Sequence, residues 1–181
     1  METSSETPLA ILQRLNQLAQ QHPMTPEGAL EALPEQWLGV AFRLAGRYCV
    51  CRTGEVEEVV PYPVVAPVPR ARHWLRGVAN VHGNLLPIMD LAGFLGDGMS
   101  TITRSSRVLV ARADQLTTGL LVDEVLGMRQ FPLDSLSAAA GDVPAGLAAV
   151  LSGEFDDQGQ SWQVLSVAGL ASHPEFSGAA N

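Results

Sequence analysis

The chemistry-bearing side chains of this 181-residue sequence are two thiols, four imidazoles and a scattering of carboxylates. Cys49 and Cys51 stand two apart in a strand-like apolar run, so both point to one face. They are poorly placed for a disulfide framework, and as half of a zinc site they lack a second pair, which leaves His73 and His82 to complete it. Two buried, unreactive thiols are the simpler expectation. Asp90 closes the run Pro87-Ile88-Met89, and Asp123-Glu124 interrupts another apolar stretch, a pattern that invites acid/base chemistry. Carboxylates at strand ends more often cap turns or pair with arginines, here Arg104 and Arg107, so no catalytic residue is assigned.

All 11 basic residues are arginine. Without a lysine the chain cannot build a P-loop or a Schiff-base enzyme, and it contains no Gly-x-Ser-x-Gly elbow and no Asp-Thr-Gly or Asp-Ser-Gly loop. The net charge of −8 is uneven: residues 1–36 carry one Arg against five acids, 37–112 nine against five, and 113–181 one against nine. A modestly basic middle flanked by acidic segments argues against nucleic-acid binding and leaves a polar surface for an acidic protein partner. With 46% apolar and 17% charged residues the chain has the composition of one globular domain. The polar start, Met1 to Thr7, and the absence of 18 consecutive apolar residues predict a soluble cytoplasmic protein.

These residues are positioned by two kinds of element. Thr7-Pro8 and Thr25-Pro26 are helix-start signals; Ile11, Leu12, Leu15 and Leu18 form a helical stripe, and Glu27 to Leu33 form a second helix stopped by Pro34. Residues 1–36 are thus a helical extension, expected either to pack on the main domain or to dock a partner through that stripe. From Trp37 the period becomes two. Leu38, Val40, Phe42 and Leu44 share a strand face, Ala45-Gly46 turns the chain into Arg47 to Cys51, and further strands are predicted at Val56–Val60, Leu85–Met89, Arg107–Ala111, Gly119–Leu126 and Gln163–Val167. The prolines of 61–69 impose an extended edge connector; short helices are expected at Arg70–Leu75 and at Leu91–Leu95 before Gly96, and Ser135–Ala149 reads as a loop with a helical turn. No fixed-period repeat is visible. Trp37, Trp74 and Trp162 read as core or boundary aromatics, with Trp74 the candidate anchor for a partner. Many short strands with little helix predict a mainly β, barrel-like domain over 37–181.

The run Trp74-Leu-Arg-Gly-Val-Ala-Asn-Val-His-Gly-Asn-Leu-Leu-Pro-Ile-Met-Asp-Leu91 resembles the signature of the CheW-like domain, supported in order by Phe42-Arg-Leu-Ala-Gly-Arg-Tyr48, Val56-Glu-Glu-Val59 and Gly119-Leu-Leu-Val-Asp-Glu-Val125. The resemblance covers roughly 37–171, and within the family it is strongest to adaptors of type IV pilus (twitching) chemosensory systems. It implies two packed SH3-like five-stranded β-barrels, without cofactor or metal, that link the tips of methyl-accepting chemoreceptors to a CheA-type histidine kinase. It places docking of the kinase's regulatory domain on Glu58, Val59, Arg76, Gly77, His82 and Gly83, with Val59 supplying apolar area, Glu58 and Arg76 orientation, and the glycines bracketing a tight turn. His82 stands where the family usually has an arginine, which predicts a weaker, partly pH-dependent contact with Glu58. A general chemotaxis adaptor, and a small metal- or ligand-binding barrel using Cys49 and Cys51, are the alternatives.

Overall fold

The computed structural model describes residues 35–113, 116–138, 148 and 150–177; the helices expected within residues 1–36 and most of the loop expected over 135–149 lie outside them. In chain order the elements are β1 (Gln36–Leu44), β2 (Arg47–Arg52), β3 (Val56–Pro61), β4 (Val65–Ala66), β5 (Leu75–Val81), β6 (Asn84–Asp90), α1 (Leu91–Leu95), β7 (Arg107–Ala113), β8 (Leu116–Val122), β9 (Glu124–Pro132), β10 (Leu151–Asp157), β11 (Gln160–Leu165), α2 (Val167–Ser172) and α3 (Pro174–Ser177). They form two sheets. The first barrel has the order β10-β11-β2-β1-β9, and the second has β3-β7-β8-β6-β5-β4. Beyond the five strands expected, the second gains β4 from the proline connector: its two residues pair with Ala79 and Val78 before Pro67 and Pro69 remove further donors.

Alternation explains where the core sits. On β1, Val40, Phe42 and Leu44 face one way as expected, but Trp37 and Ala41 on the other face are also buried. The first set belongs to a large cluster shared by both barrels, with Cys49, Cys51, Leu109, Leu120, Val122 and Leu165; the second fills the first barrel with Val50, Phe131, Phe155, Trp162 and Val164. The second barrel encloses its own aliphatic cluster: Val60, Ala79, Leu86, Ile88, Val108, Val110 and Leu121. Strands buried on both faces carry near-continuous apolar runs, as β7 and β8 do.

Several expectations require correction. Arg70–Leu75 is not a helix; turns precede β5, whose first rung pairs Leu75 with Met89. Gly119–Leu126 is two strands, because Asp123 bends the chain and donates its amide to the Arg43 carbonyl, sending β9 into the other sheet. Strand β10 and most of β9 went unread. Val78–Val81 is strand β5 rather than turn, which is confined to His82-Gly83, and Trp74 is buried, stacked on Phe176 at 5.9 Å with Phe94 edge-on at 5.2 Å, so it offers no exposed anchor. Helix α1 matches: Asp90 caps it by accepting from the Gly93 amide, and Gly96 ends it at φ 87°.

The structure also contains a repeat that the sequence hides. Strands β1-β2-β3-β4-β5-β6-α1 and β7-β8-β9, Ser137, β10-β11-α2 have one pairing pattern, including parallel pairs β6–β8 and β11–β2. The bulge at Glu57 of β3 has its counterpart at Leu126 of β9, and the irregularity before Gly77 its counterpart before Gly153. Equivalent residues are 69 apart from Ala41 to Val110 and 76 apart from Gly83 to Gly159, so no single period survives. Each half is divided between the barrels: β1 and β2 join the first while β3 to β6 join the second, and β7 and β8 join the second while β9 to β11 join the first.

Candidate functional site

The candidate site starts from the β5–β6 turn. Val81 pairs with Asn84 across two residues, His82 at φ 50° and Gly83 at φ 89°, the geometry of a type I′ hairpin turn. Glycine takes such a φ freely, and histidine is among the residues that tolerate it best. The Gly83 amide is fixed by Asn80 Oδ1 at 2.8 Å. This turn aims the imidazole at β3, where His82 Nε2 lies 2.9 Å from Glu58 Oε1, both groups being exposed. The expected Glu58–His82 contact is therefore present. Glu58 shares the inward-facing side of β3 with Val60, while Val59, 39% exposed, lies on the opposite side.

Glu58 and His82 line the mouth of the second barrel, an open groove of about 520 Å³. Its floor is Leu86, Val81 and Val110; Glu57 closes another side through an ion pair to Arg112, with Oε1 to Nη1 at 2.9 Å. Leu85 stands on the rim, 78% exposed. Sequence reasoning missed Leu85, Glu57 and Arg112. Stepping back by two from buried Ile88 puts Leu86 inside and Leu85 outside, so the signal for Leu85 lay in the strand period, whereas a pairing of β3 with β7, 55 residues apart, gives no local sequence hint that Arg112 meets Glu57.

Arg76 and Gly77 are not part of this cluster. They lie near the start of β5, six and five residues, roughly 16 to 20 Å, along the strand from His82. The Arg76 guanidinium is held by buried Asp90, Nε to Oδ2 at 2.9 Å, and also donates to the Ser100 carbonyl. Asp90 additionally accepts from the Ser100 amide and hydroxyl, both at 2.8 Å, so a carboxylate expected near Arg104 and Arg107 is saturated by Arg76, Ser100 and Gly93 instead. Gly77, at φ 139°, is required by packing: a Cβ there would approach the Ala66 carbonyl oxygen to 2.1 Å, so glycine is what lets β4 lie against β5.

The thiols do not form a metal half-site with the histidines. Cys49 and Cys51 are buried in the shared core, whereas His82 sits at the exposed turn of the second barrel. Burial pushes both thiols up to about 12, Arg47 opposing it at Cys49 and Glu55 reinforcing it at Cys51, so they stay protonated and inert.

A surface built from a strand edge, a hairpin turn and an apolar groove bounded by ion pairs is suited to holding another protein. The CheW-like domain family model matches residues 38–175. Protein PilI of Pseudomonas aeruginosa is 40% identical over 175 residues, covering 94% of this chain and 95% of that protein. Protein FrzA of Myxococcus xanthus is 32% identical over 112 residues, 61% of this chain and 69% of that one. Among solved structures, the scaffolding protein TtCheW from Thermoanaerobacter tengcongensis superposes with a TM-score of 0.69 at 20% identity, over 78% of this chain and 96% of that chain, and supports the fold. The chain belongs to the CheW-like family. Within it, the likeness to PilI over nearly the whole length makes it a non-enzymatic chemosensory adaptor of the pilus-related kind. Among the described residues no helix is long and apolar enough to cross a membrane.

Proposed function

We propose that this adaptor couples the cytoplasmic tip of a methyl-accepting chemoreceptor to a CheA-type histidine kinase in twitching motility, and that the edge and mouth of the second barrel dock the kinase's regulatory domain. Residues 37–181 form the docking domain, with residues 1–36 as its helical extension, recruited to membrane-associated receptor arrays. The observation that carries this reading is the exposed pair Val59 and Leu85 flanking the Glu58–His82 contact: apolar area beside charges that fix orientation. Gly83 shapes the turn that presents His82. Arg76 and Gly77 act from a distance, holding the start of β5 and the β4 strap in register.

Calorimetry of the full chain against the regulatory domain of the same organism's kinase tests it, with Val59→Asp as control. Specific binding that is lost in Val59→Asp supports both partner and surface. A folded wild-type chain that does not bind overturns the kinase assignment, while binding that survives Val59→Asp moves the surface elsewhere.

A further inference from the structure

Of the nine arginines between residues 37 and 112, Arg47, Arg76 and Arg112 meet carboxylates, and Arg43 and Arg52 lie over the rings of Tyr48 and Trp37. The remaining four, Arg70, Arg72, Arg104 and Arg107, have no carboxylate partner among the described residues; Arg107 donates Nη1 to the Arg104 and Ser106 carbonyls.

These four share one end of the second barrel. The rungs Pro61↔Arg107, Arg107↔Val122 and Leu75↔Met89 close the barrel at the end away from the His82 turn, where the loop 67–74 enters β5 and the loop 97–106 enters β7. Ser100 ties the second loop to the start of β5, through its bonds to Asp90 and from Arg76. Residues 59–89 and 98–113 contain no acid at all. The same loops expose apolar side chains: Val68 at 41%, Met99 at 42% and Ile102 at 40%. Guanidinium groups without a carboxylate partner among the described residues, interleaved with exposed apolar groups, are the composition of a recognition surface rather than of a solvated face.

We infer that this end of the barrel, opposite the groove, docks an acidic polypeptide segment that carries apolar side chains. Carboxylates match the guanidinium forks, and Val68, Met99 and Ile102 supply the apolar area. The overall charge of −8 selects the class of partner. An extended polyanion such as a nucleic acid or an anionic bilayer would reach past the patch and meet the acidic remainder of the chain. A short acidic segment feels little beyond a Debye length of about 8 Å, so it meets the patch and, of the acids, chiefly Asp97, already paired with Arg47, and Asp123 in the adjoining cleft.

Fluorescence anisotropy with a labelled helical peptide of glutamates and leucines tests this on the full chain, beside a counterpart with glutamine in place of glutamate. The expected result is binding that weakens as salt rises, that is about tenfold weaker for the glutamine peptide, and that falls about tenfold in the doubly substituted Arg70→Ser, Arg72→Ser chain and again in Arg104→Ser. Melting temperature confirms that the variants are folded, and Val59→Asp retains the binding. Equal affinity for the two peptides, or no response to the arginine substitutions, overturns the inference. So does tighter retention on duplex DNA or phosphatidylglycerol vesicles that is lost in the same variants, because it assigns the patch to another class of ligand.

Discussion

At equivalent positions of the two barrels, Leu86 and Val110 of the second correspond to Trp162 and Ala41 of the first, and Thr117 to Tyr48. The first barrel fills its mouth with rings: Trp162 packs at 5.0 Å from Tyr48, Phe131 and Phe155 stack at 4.6 Å, and Arg129 covers Trp162 at 4.6 Å. The second, built of aliphatic side chains, leaves a groove there. The turns match, Gln158-Gly159 mirroring His82-Gly83 with Asp156 in the place of Asn80, but Gly127 stands where Glu58 does, so nothing is available there to meet Gln158. One scaffold is thus used twice, once as a plugged barrel and once as an open one, and side-chain volume at a few positions makes the difference.

The largest effect that bears on this comparison is expected at the glycines that both barrels need. Gly77→Ala drives a Cβ to 2.1 Å from the Ala66 carbonyl oxygen, and Gly153→Ala one to 2.6 Å from that of Ser137. Urea unfolding is expected to show losses of about 3 kcal/mol or more for Gly77→Ala and a smaller loss for Gly153→Ala. Near-wild-type stability in either would mean that the straps shift freely. Next comes docking: Val59→Asp weakens the kinase regulatory domain about thirtyfold, roughly 2 kcal/mol, whereas Met128→Asp, at the equivalent and 63% exposed position of β9, changes it less than about threefold. Equal losses would erase the functional distinction between the barrels.

The shared core gives an intermediate effect. Unfolded thiols ionise near 9.0, while Cys49 and Cys51 hold their protons to about 12. Between those values the unfolded state binds fewer protons, so stability is full below about pH 9 and falls as pH rises, by about 1.4 kcal/mol per unit for each thiol. Cys51→Ala is expected to halve that slope in denaturation series; an unchanged slope would remove the thiols from the account. The smallest effect is at the turn. Glu58→Gln is expected to weaken docking only a few-fold, in keeping with an exposed pair worth about 1 kcal/mol or less. A loss as large as that of Val59→Asp in the same calorimetry would give the pair the leading role instead.

Much of this was legible beforehand because strand alternation is local. The face shared by Val40, Phe42 and Leu44, the Asp90-to-Gly96 helix, and the Glu58–His82 contact each follow from short-range pattern or motif. What escaped depended on distant partners. Asp123 ends β8 by bonding to Arg43, 80 residues earlier, which no window around Gly119–Leu126 can reveal. Gly77 read as part of a turn because a glycine demanded by a crossing carbonyl looks the same in sequence as one demanded by φ alone. Arg76 read as a surface residue because Asp90, its partner, lay in a different motif role. The repeat was hidden because the connector after β9 is longer than the one after β3, so the two halves fall out of step.

The crossing of the chain between the barrels, from β2 to β3 and from β8 to β9, has a wider consequence. The second barrel, β3 to β8, is one continuous stretch set into the first, whose β1 and β2 precede it and whose β9 to β11 follow it. In terms of the repeat, the first two strands of each half complete the barrel of the other half's later strands, as in a domain-swapped dimer whose two copies have been joined end to end. Neither barrel stands alone as a module, since removing either uncovers the core that both share. The open and the plugged barrel therefore unfold together, and a partner that grips β3 holds a strand whose covalent neighbour, β2, is embedded in the opposite barrel. A docking event at one mouth is thereby wired mechanically into the other half of the molecule.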